Sequence, residues 1–414
     1  SVPMLWPVDS DPRMRHEPSP APTPGPLAWG AYLGASWTWC IGMWLPVVLL
    51  RDLGPWSFAI FAIPNVIGAA VMGWIMPTAD AATRLAREHA AACRLFSVVT
   101  YLFQCYFLAG LALGGPASVE RSFAAALALA APTMIGPWLA GRLNVQQLIA
   151  AGCLLVSMLA AAWWWAASVP QLSPTLVARP GPEPLHLVGL ASACLLGFSL
   201  CPYLDLTFLR ARRESTTPAA ARVAFTSGFG VFFASMIVLT FAYGSWLVAR
   251  DSNGPLGPWL LPLPLALHVC VQIAFKLLVH REEAARATPG GGFAGSVGLP
   301  LAGVGMAALF LLVRHLEPHA GLSPFEIGYR LFMTFYGLIF PAYVWLCVGS
   351  PRWCRPAPDA RSLIRLVVTI AAASPFFWLG FIERRHEWTA AGVALVLAAR
   401  WVPTGRRDAS TPAA

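Results

Sequence analysis

Lysine is almost missing from this 414-residue chain: Lys276 is the only one, against 27 arginines. Charge of any kind is scarce, at 11% of residues, while 57% are hydrophobic. A soluble chain of this length would need far more charge to cover its surface. Also absent are G-x-x-x-x-G-K-[ST], H-E-x-x-H and G-x-S-x-G, so no motif points to ATP hydrolysis, a zinc protease or a serine hydrolase. None of the nine cysteines forms a C-x-x-C pair, and most lie in apolar stretches, where they read as small buried hydrophobes. We expect no metal, no cofactor and no enzymatic activity. A membrane-embedded enzyme would need paired carboxylates or a His/Asp cluster, and Asp205 with His268 and His280 is a thin basis for one.

What is present is apolar sequence in blocks of about twenty residues, the length that crosses a hydrocarbon layer of roughly 30 Å. Twelve can be counted: 28–50, 55–76, 94–114, 122–140, 145–168, 185–209, 219–249, 257–280, 295–313, 327–349, 362–382 and 387–403. They are rich in Ala, Gly and Leu and show no period-2 alternation, which excludes membrane strands. The fold class is therefore an all-α polytopic membrane protein of about 12 transmembrane helices. Residues 1–26 read as a disordered Pro-rich tail without the basic-then-apolar order of a signal peptide. The expected division continues with a ten-helix core at 27–349, two additional helices at 350–403 and a short tail at 404–414.

Arginines set the expected orientation. With the N-terminus cytoplasmic, 19 arginines fall on inner segments and 8 on outer ones, so both termini are expected in the cytoplasm, with the protein multi-pass in a cell (inner) membrane. The net charge of +9 is then mostly a topology signal, and no nucleic-acid partner is expected. WWW at 163–165 reads as an aromatic anchor at the outer interface. The lipid bilayer is one partner, and a small-molecule substrate the other. Oligomeric state and protein partners are not legible here.

Two helices look interrupted. Block one, WGAYLGASWTWCIGMWLPVVLL, carries Gly34, Ser36, Thr38 and Gly42 in mid-membrane with Pro46 beyond; block six, HLVGLASACLLGFSLCPYLDLTF, carries Gly197, Ser199 and Pro202. Glycine and proline loosen the backbone ladder there, and Ser or Thr can satisfy the freed groups. Interrupted helices at corresponding positions of two five-helix halves (27–168 and 185–349) point to a transporter site at mid-membrane. Blocks one and six run in opposite directions, as a 5+5 inverted repeat requires.

That helix order resembles the LeuT-type fold of the amino acid–polyamine–cation superfamily. GASWTWCIGMWLP (34–46) is most similar to the first core helix of its sodium–solute and nucleobase symporter branches. The resemblance implies a secondary transporter of a small organic solute such as an amino acid or nucleobase, working by alternating access. It also implies that helices one, three, six and eight surround the substrate. Helix three puts Ser97, Thr100, Tyr101 and Gln104 on one face, and helix eight does the same with His268, Gln272 and Lys276. The implied substrate-binding set is Ser36, Thr38, Trp39, Gln104, Ser199, His268 and Gln272. The two stripes either converge on one polar cavity or bond separately to neighbouring helices. Trp37, Trp39 and Trp44 either stack on a flat or cationic ligand or only pack, and Asn65 beside Pro64 either lines the site or caps a kink. Sodium-coupled members place a Ser/Thr pair on the inner part of helix eight. Here that region reads CVQIAFKLLV, with no hydroxyl and an ammonium, so sodium coupling at the helix-1/helix-8 site is not expected. A non-transporting sensor or partner module on the same scaffold is the alternative.

Lys276 lies about one turn from the cytoplasmic end of block eight, where it either snorkels to the interface or pairs with Asp205 of block six. The pair would serve gating or proton coupling. Asp205 has local alternatives in Arg210 and Arg212. Glu326 and Arg330, spaced i, i+4, read as a surface pair rather than an outer gate. Reporter fusions after Glu88 and at the C-terminus should report a cytoplasmic position and a fusion at Thr175 an external one; an external C-terminus contradicts the helix count.

Overall fold

A computed structural model describes residues 24–113, 143–167, 183–250, 261–287, 297–349 and 355–402. Block four, most of the N-terminal tail, residues 404–414 and Thr175 lie outside those residues. Among the described residues the regular structure is helical, apart from a single β-bridge between His319 and Leu322. Among the described residues eight helices are long and apolar enough to cross a membrane, and a bent pair, α1 (Pro26–Trp37) and α2 (Cys40–Leu53), meeting at 52°, makes a ninth if it is one span. The others run as α3 (Pro55–Ile75), α4 (Ala79–Glu88), α5 (Ala90–Leu113), α6 (Leu143–Ala166), α7 (Pro184–Leu200), α8 (Leu206–Glu214), α9 (Pro218–Ser227), α10 (Ala234–Arg250), α11 (Leu263–Arg286), α12 (Leu299–Val313), α13 (Pro324–Thr334), α14 (Phe340–Tyr343), α15 (Ala360–Phe381) and α16 (Trp388–Ala398). Apart from block four, every apolar block carries a helix.

Local signals explain most boundaries. Proline opens α1, α3, α7, α9 and α13, where its missing N–H costs nothing and its fixed φ suits the first turn. Side-chain caps start others: Thr78 accepts from the amide of Ala81, Ser323 from Glu326 and Asp359 from Ser362. Helix α4 is the one element with no apolar block behind it. Its Ala81, Ala82 and Leu85 are buried while Arg84 and Arg87 point away, the pattern of a helix lying on a surface. Arg212 of α8 holds it from the other side, donating to the carbonyls of Met76 and Pro77 at 3.0 and 2.7 Å.

Small residues let backbones touch. A Cβ on Gly228, in the wide-turn segment Gly228–Phe233 between α9 and α10, would stand 2.9 Å from the carbonyl oxygen of Gly30 in α1. One on Gly68 of α3 would stand 2.5 Å from the carbonyl of Phe198 in α7. Close approach of this kind is how helices gain van der Waals contact where lipid offers no hydrophobic drive. Outward faces are apolar, as at Leu148, Leu155 and Leu159 of α6 and Ile364, Val367 and Val368 of α15. In the WWW run, Trp163 and Trp165 face outward, while Trp164 is buried edge-on against Trp246 at 5.6 Å.

Both interruptions are present. Thr38 leaves the helical region (φ −77°, ψ 88°) and Trp39 is extended (φ −130°, ψ −176°) between α1 and α2. The second break falls later than Gly197 and Ser199. Helix α7 runs through both to Leu200, tightens into a 3-10 turn at Cys201–Leu204 and opens at Asp205 (φ −76°, ψ 110°) before α8. Pro202 marks the place, since it cannot donate to the helical ladder.

Candidate functional site

The first break leaves carbonyls at the end of α1 without their helical partners, because the chain turns away before residue 40 can supply an amide. Thr38 makes the last helical bond of α1, its N–H donating to Gly34 O at 3.0 Å, and its Oγ1 donates to the same carbonyl at 2.8 Å. The carbonyl of Ser36 takes its hydrogen bond from Nζ of Lys276. An ammonium suits that position, because the C-terminal end of a helix carries partial negative charge.

Asp205 completes the arrangement from a second helix end. Its Oδ1 caps α8, accepting from the amide of Thr207 at 2.8 Å and from the Thr207 hydroxyl at 2.7 Å. Its Oδ2 lies 3.7 Å from Lys276 Nζ and 4.0 Å from His280 Nε2. Thr207 Oγ1 is also 3.2 Å from Ser36 Oγ, joining the two breaks directly. Cation and carboxylate thus each sit on the helix terminus whose partial charge favours them. The rings of Trp39 and Trp37 wall the ammonium at 5.0 and 5.5 Å, within cation–π range. Lys276, Asp205 and His280 are all fully buried.

Several of the alternatives left open above are decided here. Lys276 lies ten residues from the end of α11, fully buried, with Nζ bonded to Ser36 O and beside Asp205, so it does not snorkel. Asp205 does not pair with its local arginines, because Arg210 bonds Gln146 and Glu283 (2.8 and 2.9 Å) while Arg212 holds the α3–α4 turn. The cation beside the tryptophans is the chain's own.

The other candidate residues divide. Gln104 donates to Cys40 Sγ at 3.4 Å, at the first residue of α2, so it flanks the break. His268 and Gln272 turn instead to α6. His268 Nδ1 and Gln272 Nε2 meet Ser157 Oγ at 2.7 and 2.9 Å, and Gln272 also reaches Cys153 O at 3.4 Å. The stripe on helix eight therefore splits: its first half ties α11 to α6 and only Lys276 and His280 face the breaks. Ser199 is exposed on the outer side of α7 and is not part of the cluster. Asn65 accepts from Trp37 Nε1 at 2.7 Å, and Trp44 packs on Phe107 at 6.2 Å. Sequence reading missed Thr207; its D-x-T spacing after a proline was the available signal.

No family model matches this chain, and no curated protein does either. Solved structures with a similar course include Mhp1, a nucleobase-cation-symport-1 family transporter, in a closed conformation with bromovinylhydantoin bound: 13% identity, 92% of this chain and 94% of that chain covered, TM-score 0.47. At that identity and score the likeness adds nothing to the geometry above.

Charged clusters also flank Lys276 along the bundle on either side. Seven residues further along α11, Glu283 accepts from Arg210 at 2.9 Å and Arg286 at 2.6 Å; Gln146 of α6 joins through Arg210 and Glu282. Fifteen residues beyond Ser36, at the end of α2, Arg51 grips Glu326 (2.8 Å) and Asp52 (2.9 Å), while Arg330 bonds Glu326 (2.7 Å), Asp52 and the carbonyl of Phe381 (2.8 Å). Glu326 and Arg330 are 4% and 5% exposed, so they form a buried network and not a surface pair.

Lys276→Met and Asp205→Asn should each lower the melting temperature of the purified protein clearly. Removing one partner of a buried pair strands the other, at a cost of about 3–5 kcal/mol. The double variant should recover much of the loss, and a double-mutant cycle reads that coupling directly. A silent Lys276→Met, or strictly additive losses, would show that the two residues do not support each other.

Proposed function

We propose that this chain is a membrane transporter of a small organic solute, an amino acid, nucleobase or similar compound, working by alternating access around the two helix breaks. The observation that carries this reading is the Lys276 ammonium on the Ser36 carbonyl at the α1–α2 break, with Asp205 at 3.7 Å. Interrupted helices that aim unpaired backbone groups into the middle of a bundle are costly in lipid unless they line a ligand or ion path. The two-break layout fits two five-helix halves of inverted topology followed by two further helices. Solute would contact the backbone and side chains around Ser36, Thr38, Trp39 and Gln104. The Arg51–Glu326–Arg330–Asp52 cluster would close the outer side and the Arg210–Glu283–Arg286 cluster the inner side.

In this reading Lys276 supplies the positive charge that a sodium ion supplies in ion-coupled relatives of the fold. A hard cation needs several oxygen ligands, and a neighbouring ammonium repels it. Coupling, where it exists, then runs through protons on Asp205 or Lys276. The charge networks on both sides of the site favour a second reading as well, a non-transporting membrane module held closed to serve a ligand or partner.

Vesicles containing the protein should accumulate labelled amino acids or nucleobases above matched empty vesicles, equally well when sodium is replaced by a large organic cation at constant ionic strength. Melting temperature should be equally indifferent to the exchange. A saturable, sodium-specific rise in melting temperature would overturn the ion substitution, because a ligand that binds only the folded state must stabilise it. No accumulation across a broad solute panel would favour the non-transporting module.

A further inference from the structure

An apolar crevice lies between α2, α7, the α13–α14 segment and the turn joining α15 to α16, with a volume of about 60 Å³. Leu49, Cys194 and Met333 line it, Tyr336 forms part of its wall, and Arg330 and His386 are the polar residues along it. A single water needs roughly 10–15 Å³ and two to four polar partners. The space could hold several waters, yet its walls offer almost nothing to bond them.

The polar side chains are specific. His386 is 4% exposed, and its Nε2 has no hydrogen-bond partner among the described residues. Burial pushes this imidazole down to about 4, although the Asp52 carboxylate, 3.9 Å away, pulls it the other way. Near neutral pH it presents an uncharged ring. Arg330 has no charge to spare: with Arg51 it faces Asp52 and Glu326, two cations against two anions. An ionised guest would lose part of its hydration and find no free counter-charge, which is unfavourable against apolar walls. A guest with an apolar body and one neutral polar group would bury the first against Leu49 and Met333 and satisfy His386 with the second.

We propose that this crevice is a binding site for a small, uncharged, mainly apolar molecule carrying one hydrogen-bonding group, such as an alcohol, ketone or amide. It is separate from the Lys276 cluster but shares a wall with it. Tyr336 lines the crevice and packs edge-on against Trp39 at 4.6 Å, with its hydroxyl 2.9 Å from Thr100 Oγ1. Helix geometry is already relaxed there, in the wide turn Phe335–Ile339, a form often found at functional positions. The site stands whether or not the chain transports anything.

Cys194 is a free thiol in the crevice wall and reports occupancy. The whole protein in lipid nanodiscs is treated with neutral methyl methanethiosulfonate, and modification of each cysteine is followed by peptide mass spectrometry. Isopropanol, small enough for this space, at four times its dissociation constant should slow modification of Cys194 about fivefold, with no matching effect at Cys153, which faces Val271 elsewhere in the bundle. Acetate, with the same number of heavy atoms but ionised, should protect neither. Leu49→Trp, which fills the crevice, should abolish the protection. If that variant does not fold, the ratio of Cys194 to Cys153 protection in the unaltered protein decides. Equal protection at both cysteines, or protection by acetate equal to that by isopropanol, would overturn the proposal.

Discussion

A single ion pair bridging two interrupted helices organises this protein. Lys276 bonds the carbonyl end of α1, and Asp205 caps the amide end of α8. Each group therefore meets a partial helix charge of opposite sign as well as its partner at 3.7 Å. That double compensation is what makes full burial of both tolerable. An isolated ammonium in a low-dielectric interior would be expelled or neutralised, and an uncapped carbonyl would be nearly as costly. The broken backbone needs the charges, and the charges need the broken backbone. Thr207 bonds the carboxylate and lies beside Ser36, so neither break can shift without disturbing the other.

The rest of the bundle follows from this centre. With Lys276 committed inward, α11 carries no other cation until Arg281, and its upper polar residues are free to fasten α6 through Ser157. Arginines and carboxylates balance each other in the two clusters on either side, the Arg51–Glu326–Arg330–Asp52 cluster mostly buried and the Arg210–Glu283–Arg286 cluster partly so. Such networks are strong when intact and costly when partly opened. In the proposed transporter reading, alternation between open sides would exchange one cluster for the other. The π-turns at Gly228–Phe233, Phe335–Ile339 and Val344–Val348 supply places where helices can bend without losing their whole hydrogen-bond ladder.

Much of this was legible in the sequence. The helices followed from block length and composition, and their starts from proline and short polar caps, because those signals are local. The first break was visible in Gly34, Ser36 and Thr38. The second was visible in Pro202 but not in Gly197 and Ser199, which are compatible with helix, and the Asp205 cap was not foreseen. The length of the helix carrying Lys276 was not legible, because apolar content ends near His280, whereas the helix continues through HREEAAR, held by contacts with Arg210 and Gln146 that no local pattern announces. The polar stripe on helix eight was real, but spacing cannot say which neighbour a side chain will choose. Glu326 and Arg330 looked like a surface pair because their other partners, Arg51 and Asp52, lie some 275 residues away.

Because Lys276 is the only lysine, protein labelled with ¹³C,¹⁵N-lysine contains one lysine side chain to observe. The most direct test of the account is the charge state and solvent exchange of that one ammonium by nuclear magnetic resonance in lipid nanodiscs. The account predicts a single charged, slowly exchanging –NH₃⁺ signal that moves in Asp205→Asn and is unchanged when sodium is replaced. A neutral amine, or an ammonium exchanging with water as fast as an exposed lysine, would contradict it.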